Sequence, residues 1–257
     1  YALFQRDKGR LQATARALAL YDEVQRAYVG LQRVSDTAAN LARLDQAQLA
    51  LVCLPAFAHA LLPAVCRRLH AVAGQARVAI TPQESPLLEE WLSAQRFDLG
   101  LSERHEAPAA CTLHTLLVAD EVAVLPAGHA LARMAVLSPA DFAGQSFISF
   151  APADPYRQQV DALFAAAGVE RVLKLETPSA VSVCALVRQG LGLGIVNPLT
   201  ALELAGGGLV VKPLSVSIPF HVALIRPSWR SEHPLRAAFE GALAEAAGAL
   251  KTRLAGA

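Results

Sequence analysis

Leu49-Ala-Leu-Val-Cys-Leu54 is an unbroken apolar run of strand length. A run without polar alternation marks a strand buried on both faces, which is the habit of parallel sheets. Downstream, the pattern predicts a helix over 58–69, a strand at Val78-Ala-Ile-Thr81, a helix over 87–94 and a strand over 97–101. That βαβαβ order, with right-handed crossovers, makes a small doubly wound sheet. The pattern then repeats. Glu121-Val-Ala-Val-Leu125 reads as a strand, then Phe147-Ile-Ser-Phe150, a helix over 156–167, a strand over 172–176, a helix over 181–189 and a strand over 193–196. Two such units do not fit easily in one sheet, so two lobes are expected. The strand Phe220-His-Val-Ala-Leu-Ile225 and a helix over 234–250 would return to the first lobe. Two crossovers near Ala119 and Pro219 would then flank a cleft. The expected fold class is α/β with two Rossmann-like lobes, one formed by 47–118 with 220–257 and the other by 119–219.

Residues 14–44 differ in character. Ala17, Tyr21, Val24, Tyr28, Leu31, Ser35 and Ala38 recur at alternating spacings of four and three, the a/d pattern of a coiled-coil seam. Proline is absent there and Thr14 is placed to cap the helix. The small residues Ser35 and Ala38 weaken the seam. A dimerising or spacer helix is favoured, and a helix lying on its own domain is the competing reading.

Composition narrows the function classes. Of 257 residues, 54% are hydrophobic, which demands a buried core and excludes disorder. Charged residues are 18%, below the roughly 25% of average soluble proteins. Lys+Arg 23 against Asp+Glu 22 leaves a net charge of +1, without the basic excess of a nucleic-acid-binding domain. A mean hydropathy of +0.35 raises the question of a membrane span. The most apolar stretch, 184–211, is interrupted by Arg188, Gln189, Asn197, Pro198 and Glu203, which suits a buried sheet and not lipid. The first ten residues have no apolar segment of the signal-peptide type. Cys53, Cys66, Cys111 and Cys184 are scattered without a C-x-x-C pair, so reduced buried thiols of a cytoplasmic protein are expected ahead of disulfide, metal or redox roles.

Open α/β sheets bind ligands beyond the carboxyl ends of their strands. The segments there are Pro55-Ala-Phe57, Gln83-Glu-Ser-Pro86, Ala151-Pro-Ala-Asp-Pro-Tyr-Arg157, Thr177-Pro-Ser179 and Val196-Asn-Pro198. Ser85, Thr177 and Ser179 carry hydroxyls, Arg157 can hold a carboxylate bidentately, and Glu84, Asp154 and Glu176 can hold ammonium groups. A cleft of both signs suits a zwitterion such as an amino acid. Ser85, Ser179 and Asp154 are equally good helix caps. Catalytic and metal-binding patterns are missing: no histidine lies in H-E-x-x-H, Gly144-Gln-Ser146 does not complete a G-x-S-x-G elbow, and His59 reads as a packing or rim residue. Gly190-Leu-Gly192-Leu-Gly194 follows a helix and enters a strand, the reverse of a dinucleotide fingerprint, so a tight turn is expected. No enzyme, cofactor or metal is expected.

A seam helix followed by two lobes resembles the LysR-type transcriptional regulators. Leu3-Phe4-Gln-Arg6-Asp-Lys-Gly9-Arg10-Leu11 with Thr14 resembles the end of their winged helix-turn-helix and the start of the linker helix. Leu61-Leu62-Pro63, Asp98-Leu-Gly100-Leu101, Leu125-Pro126-Ala-Gly128-His129, Ala167-Gly168-Val169 and Val187-Arg-Gln-Gly190-Leu-Gly192 resemble the regulatory domain in order. Pro82-Gln-Glu-Ser-Pro-Leu-Leu-Glu-Glu-Trp-Leu-Ser-Ala-Gln-Arg96, Asp154-Pro-Tyr-Arg-Gln158, Ser182-Val-Cys-Ala185 and Val196-Asn-Pro-Leu-Thr-Ala201 are more specific. They resemble the members that activate the diaminopimelate decarboxylase gene of lysine biosynthesis in response to diaminopimelate.

The resemblance implies a periplasmic-binding-protein-like fold, a small-molecule effector, homodimers or homotetramers through the coiled-coil linker helix that follows the end of the winged helix-turn-helix within residues 1–46, and promoter DNA held by a domain preceding Tyr1 and not by this portion. Effector contacts carried over by position are Ala56, Phe57, Glu84, Ser85, Ser149, Asp154, Tyr156, Arg157, Thr177, Ser179 and Asn197. Many members have Ser or Thr where this chain has Ala56, leaving only backbone N–H groups to contribute there. A solute-binding protein for an amino acid would share the lobes but has no use for a seam helix.

Overall fold

The computed structural model describes residues 2–7, 10–14, 16, 17, 20, 21, 24, 48–152 and 154–255, and divides into two units, Tyr1–Gln48 and Leu49–Ala257. In the first unit β1 (Phe4–Asp7) and β2 (Arg10–Ala13) form an antiparallel hairpin, Phe4 opposite Ala13 and Asp7 opposite Arg10. The Thr14 hydroxyl accepts the Ala17 N–H at 3.2 Å, the N-cap contact that its position predicts. Ala17, Tyr21 and Val24 of the seam are helical, and the last two are exposed. Tyr28, Leu31, Ser35 and Ala38 lie outside the described residues.

The second unit runs β3 (Gln48–Cys53), α1 (Pro55–Ala60), α2 (Leu62–Val72), β4 (Arg77–Pro82), α3 (Leu87–Ser93), β5 (Leu99–Ser102) and β6 (Cys111–Asp120). It continues with β7 (Val122–Pro126), β8 (Ser146–Ser149), α4 (Pro155–Ala166), β9 (Val172–Glu176), α5 (Ala180–Arg188) and β10 (Gly194–Val196). It ends with α6 (Pro198–Leu204), β11 (Leu209–Pro213), β12 (Pro219–Pro227) and α7 (Arg236–Ala255).

A five-stranded sheet has the order β4-β3-β5-β12-β6, with β3 parallel to β5 and β12 antiparallel to both its neighbours. Leu49, Leu51, Val52 and Cys53 of the opening run are fully buried at its centre. Elsewhere in this unit β7 lies between β10 and β11, and β8 pairs with β9 in parallel. A parallel bridge, Phe147 opposite Leu193, links the two groups of strands. The Gly190–Gly194 turn makes that link possible. Gly190 adopts φ +78°, and a Cβ on Gly192 would stand 2.7 Å from the Ser146 carbonyl oxygen.

Where β6 passes into β7, Asp120 faces Pro219 and the Glu121 N–H donates to the Ile218 carbonyl at 2.9 Å. The chain therefore crosses between the sheets twice, side by side. Phe220 next to this crossing packs between Phe57 of α1 and Tyr156 of α4, with ring centroids 6.0 and 6.1 Å away.

Several elements differ from the sequence reading, among them the β1–β2 hairpin and β11, for which it holds no expectation. The helix expected over 58–69 is two helices, α1 and α2, because Pro63 has no N–H to continue the hydrogen-bond ladder and the chain bends at Leu61 (φ −114°, ψ −52°). The ten-residue β6 was not anticipated. It is an edge strand whose alternation is interrupted by Thr112, His114 and Thr115, and one of its faces is solvated. Asn197-Pro198, one of the strand-end segments, opens the short helix α6, whose extent the sequence reading leaves undefined.

Candidate functional site

The carboxyl ends of the strands and the amino ends of α1, α4, α5 and α6 converge on a cavity of about 510 Å³ including its open mouth. Side chains are fixed there by capping. Asp154 Oδ1 accepts the N–H groups of Tyr156 at 2.8 Å and Arg157 at 3.1 Å at the start of α4. Ser179 Oγ accepts from Ser182 N at 3.3 Å at the start of α5, and Asn197 Oδ1 accepts from Thr200 N at 2.8 Å at the start of α6. Capping and cavity lining are thus done by the same residues.

Of the residues singled out from sequence, Ala56, Glu84, Asp154, Tyr156, Ser179 and Asn197 line this cavity. Phe57 does not; it is fully buried against Phe220. Ser149 is buried in β8, where its carbonyl accepts the Thr177 N–H at 3.0 Å, and Thr177 Oγ1 accepts from Ser179 N at 3.4 Å. Ser85 turns away from a capping role and donates to Glu89 Oε1 at 2.8 Å, an oxygen that also accepts from Ser102 at 2.9 Å.

Arg157 is placed differently from the expectation of a free carboxylate clamp. Its guanidinium is buried, donating to Asp161 at 2.6 Å, Glu176 at 3.0 Å and the Phe150 carbonyl at 2.9 Å. Asp161 also receives Arg171, whose guanidinium lies over the Phe147 and Phe164 rings. This network occupies the cation, and Glu176 with it. The cleft of mixed charge expected from sequence is, in this cavity, an acidic one.

Two carboxylates that the sequence reading passed over complete it. Glu103 follows β5 directly, and Glu121 occupies the crossing between β6 and β7. With Glu84 and Asp154 they make four carboxyl groups, and no Lys or Arg is among the described residues lining the space. Glu121 is 2% exposed and its Oε2 has no hydrogen-bond partner.

Glu121 is buried, Glu103 and Asp154 are half-buried and Glu84 is exposed; carboxylates crowded together without a cation are costly unless they take up protons. Burial, reinforced by the charges of Asp154, Glu84 and Glu89, accordingly pushes Glu103 up to about 8. Burial and then Glu103, Asp154 and Asp120 raise Glu121 well above the usual carboxylate range. Glu84 is raised by burial and by Asp154. Asp154 is raised by burial even though two backbone N–H groups favour its charged form. Burial, then Glu103 and Glu121, also keeps the Tyr156 phenol protonated. At neutral pH the cavity holds protons that a bound cation can replace.

The strand-end rule that found Glu84 and Asp154 would have found Glu103 if applied to the third strand. Glu121 carries no comparable signal, because a lone glutamate before an apolar strand reads as surface charge.

Among the described residues no cluster of His, Cys, Asp and Glu has the geometry to hold a metal ion, and no helix is long and apolar enough to cross a membrane. The four cysteines are free thiols.

Comparison with known proteins matches residues 42–248 to the LysR substrate binding domain. The chain is 48% identical over 241 residues to the transcriptional activator protein LysR of Escherichia coli K12, covering 94% of this chain and 78% of that one. HinK, a LysR family transcriptional regulator from Pseudomonas aeruginosa, superposes with a TM-score of 0.69 at 21% identity, covering 93% of this chain and 82% of that one. The effector binding domain of QuiR, solved in complex with shikimate, superposes with a TM-score of 0.68 at 17% identity, covering 79% of this chain and 98% of that one.

Proposed function

This chain belongs to the LysR family of transcriptional regulators, and from that membership we propose that it is the effector-binding and oligomerisation part of an activator that senses diaminopimelate. Through that effector it would control the diaminopimelate decarboxylase gene of lysine biosynthesis. The observation that carries the effector reading is the cavity itself: four carboxyl groups, one of them buried with an unpartnered oxygen, and no cation among them. Such a lining favours a ligand that brings ammonium groups, and diaminopimelate brings two. The 48% identity to LysR supports the same branch of the family.

In this reading the lobes comprise 47–118 with 220–257 and 119–219, and the cavity lies between them at the double crossing. A ligand shifts a lobe equilibrium only by its differential affinity for the two arrangements. Glu121 at the crossing, and Tyr156 packed against Phe220, are placed to feel both the ligand and the angle between lobes. The helix carrying Ala17, Tyr21 and Val24 joins copies into dimers or tetramers, and a DNA-binding domain beyond this chain meets the promoter. The protein acts in the cytoplasm as a regulator and not a catalyst.

Thermal-shift titration with diaminopimelate, lysine and unrelated zwitterions tests the assignment. Diaminopimelate at millimolar concentration should raise the melting temperature. No shift with diaminopimelate, together with a rise from a different metabolite, would defeat the lysine-pathway reading.

A further inference from the structure

An amino acid carries carboxylates as well as ammonium groups, and the acidic cavity has no cation to receive them. A second depression, about 970 Å³ including its open mouth, adjoins it and shares Glu103 and Tyr156 as a common wall. Its own lining has the opposite character: Arg104, His105, His221 and the Gln159 amide. Arg104 lies beside Glu103 in sequence and its charge partly offsets the upward shift of that carboxyl, yet its guanidinium forms no salt bridge among the described residues. The His105 and His221 rings stand 5.8 Å apart. His221 is half-buried on β12, two residues past the crossing, and its Nδ1 is buried without a hydrogen-bond partner. Three basic side chains from two separate strands or strand ends thus meet around a space lined by one carboxyl group, Glu103 at its boundary, with the exposed Glu106 3.9 Å from His105 Nε2.

We propose that this second cavity is a carboxylate-binding site formed by Arg104, His105 and His221. It lies across the Glu103 and Tyr156 wall from the ammonium site. The proposal rests on the amino-acid reading only for the choice of carboxylate as the anion. A guanidinium donates to both oxygens of a carboxylate at once, and a neutral imidazole donates one further bond or, protonated, adds charge. Because an ammonium on one side of the wall attracts an anion on the other, occupation of either cavity strengthens binding at its neighbour, and by linkage the effect is reciprocal. The carboxylate comes either from the effector, one molecule reaching both cavities, or from a separate small acid.

The test is calorimetric titration of the 257-residue chain with diaminopimelate, with cadaverine as a diamine without carboxylates, and with glutarate as a dicarboxylate without ammonium groups. Wild type is compared with Arg104→Gln and with Arg104→Gln/His221→Gln, a melting temperature within 2 °C of wild type (about 1 kcal/mol or less at this size) serving as the control for folding. The double variant should weaken glutarate or diaminopimelate at least tenfold while cadaverine stays within twofold. Competition between glutarate and diaminopimelate would assign the carboxylate to the effector; simultaneous binding, each tightening the other, would assign it to a separate acid. Unchanged affinity for both in the double variant overturns the site. If diaminopimelate fails to bind wild type, the effector assignment falls, and glutarate still decides: binding lost in the double variant upholds the anion site, and no binding to wild type rejects it.

Discussion

Replacing Glu121 by Gln removes one ionisable group from the acidic cavity and almost nothing else. Glu121 is 2% exposed, and burial, then Glu103, Asp154 and Asp120, raise its carboxyl well above the usual range and so favour the protonated acid. A glutamine has the shape of that protonated acid, so Glu121→Gln should fold normally and keep its melting temperature within a few degrees at pH 6. Binding should respond differently. When an ammonium enters, Glu121 can give up its proton and accept a charge-assisted hydrogen bond at its unpartnered Oε2. Such bonds contribute about 1.5–3 kcal/mol, roughly a 10- to 150-fold change in affinity. Isothermal titration of wild type and Glu121→Gln with diaminopimelate at pH 7 measures the difference directly. An affinity within twofold of wild type, in a variant that folds, would refute the role given to the carboxylate.

Stability should depend on pH in a direction opposite to most proteins. The native state keeps a proton on Glu103 up to about pH 8, whereas the unfolded chain releases it near 4.5, so the contribution is fully present below 4.5 and is lost as pH rises towards 8. The slope is at most about 1.4 kcal/mol per pH unit for one group; in thermal melts from pH 5 to 8 the empty wild type should lose stability, and Glu103→Gln should flatten the curve. A wild-type curve already flat in that window would contradict the buried acid cluster. Arg157→Ala should lower stability by about 2 kcal/mol, since it leaves Asp161, Glu176 and the Phe150 carbonyl without their shared donor; a denaturant midpoint equal to wild type would show the network to be idle. Tyr156→Phe should keep the packing on Phe220 and cost little, while Tyr156→Ala should cost about 3–5 kcal/mol; equal midpoints for the two variants would remove the ring from the account.

Much of the fold was legible because its strands are buried on both faces and appear as continuous apolar runs. The 49–54 run and the 193–196 run are examples. What escaped was written in weaker code. The edge strand β6 spends half its residues on solvent, and Pro63 divides two helices without any change in hydrophobic period. For the site, the strand-end rule points to Glu84, Asp154, Ser179 and Asn197, and Glu103, at the end of the third strand, obeys the same rule. Glu121 could not be read at all, since its burial is created by two crossovers that meet only in three dimensions. Arg157 had an acidic neighbour four residues on, Asp161, and that spacing alone argued for an internal pair over a ligand contact.

A ligand's ammonium is expected to replace protons held by Glu103 and Glu121. Calorimetric titration with diaminopimelate at pH 7 in two buffers of unequal ionisation enthalpy counts those protons. Release of about one proton or more per ligand bound is the predicted result, and it should decline at pH 9 as Glu103 ionises beforehand. Binding with no proton release at pH 7, or with proton uptake, would contradict it.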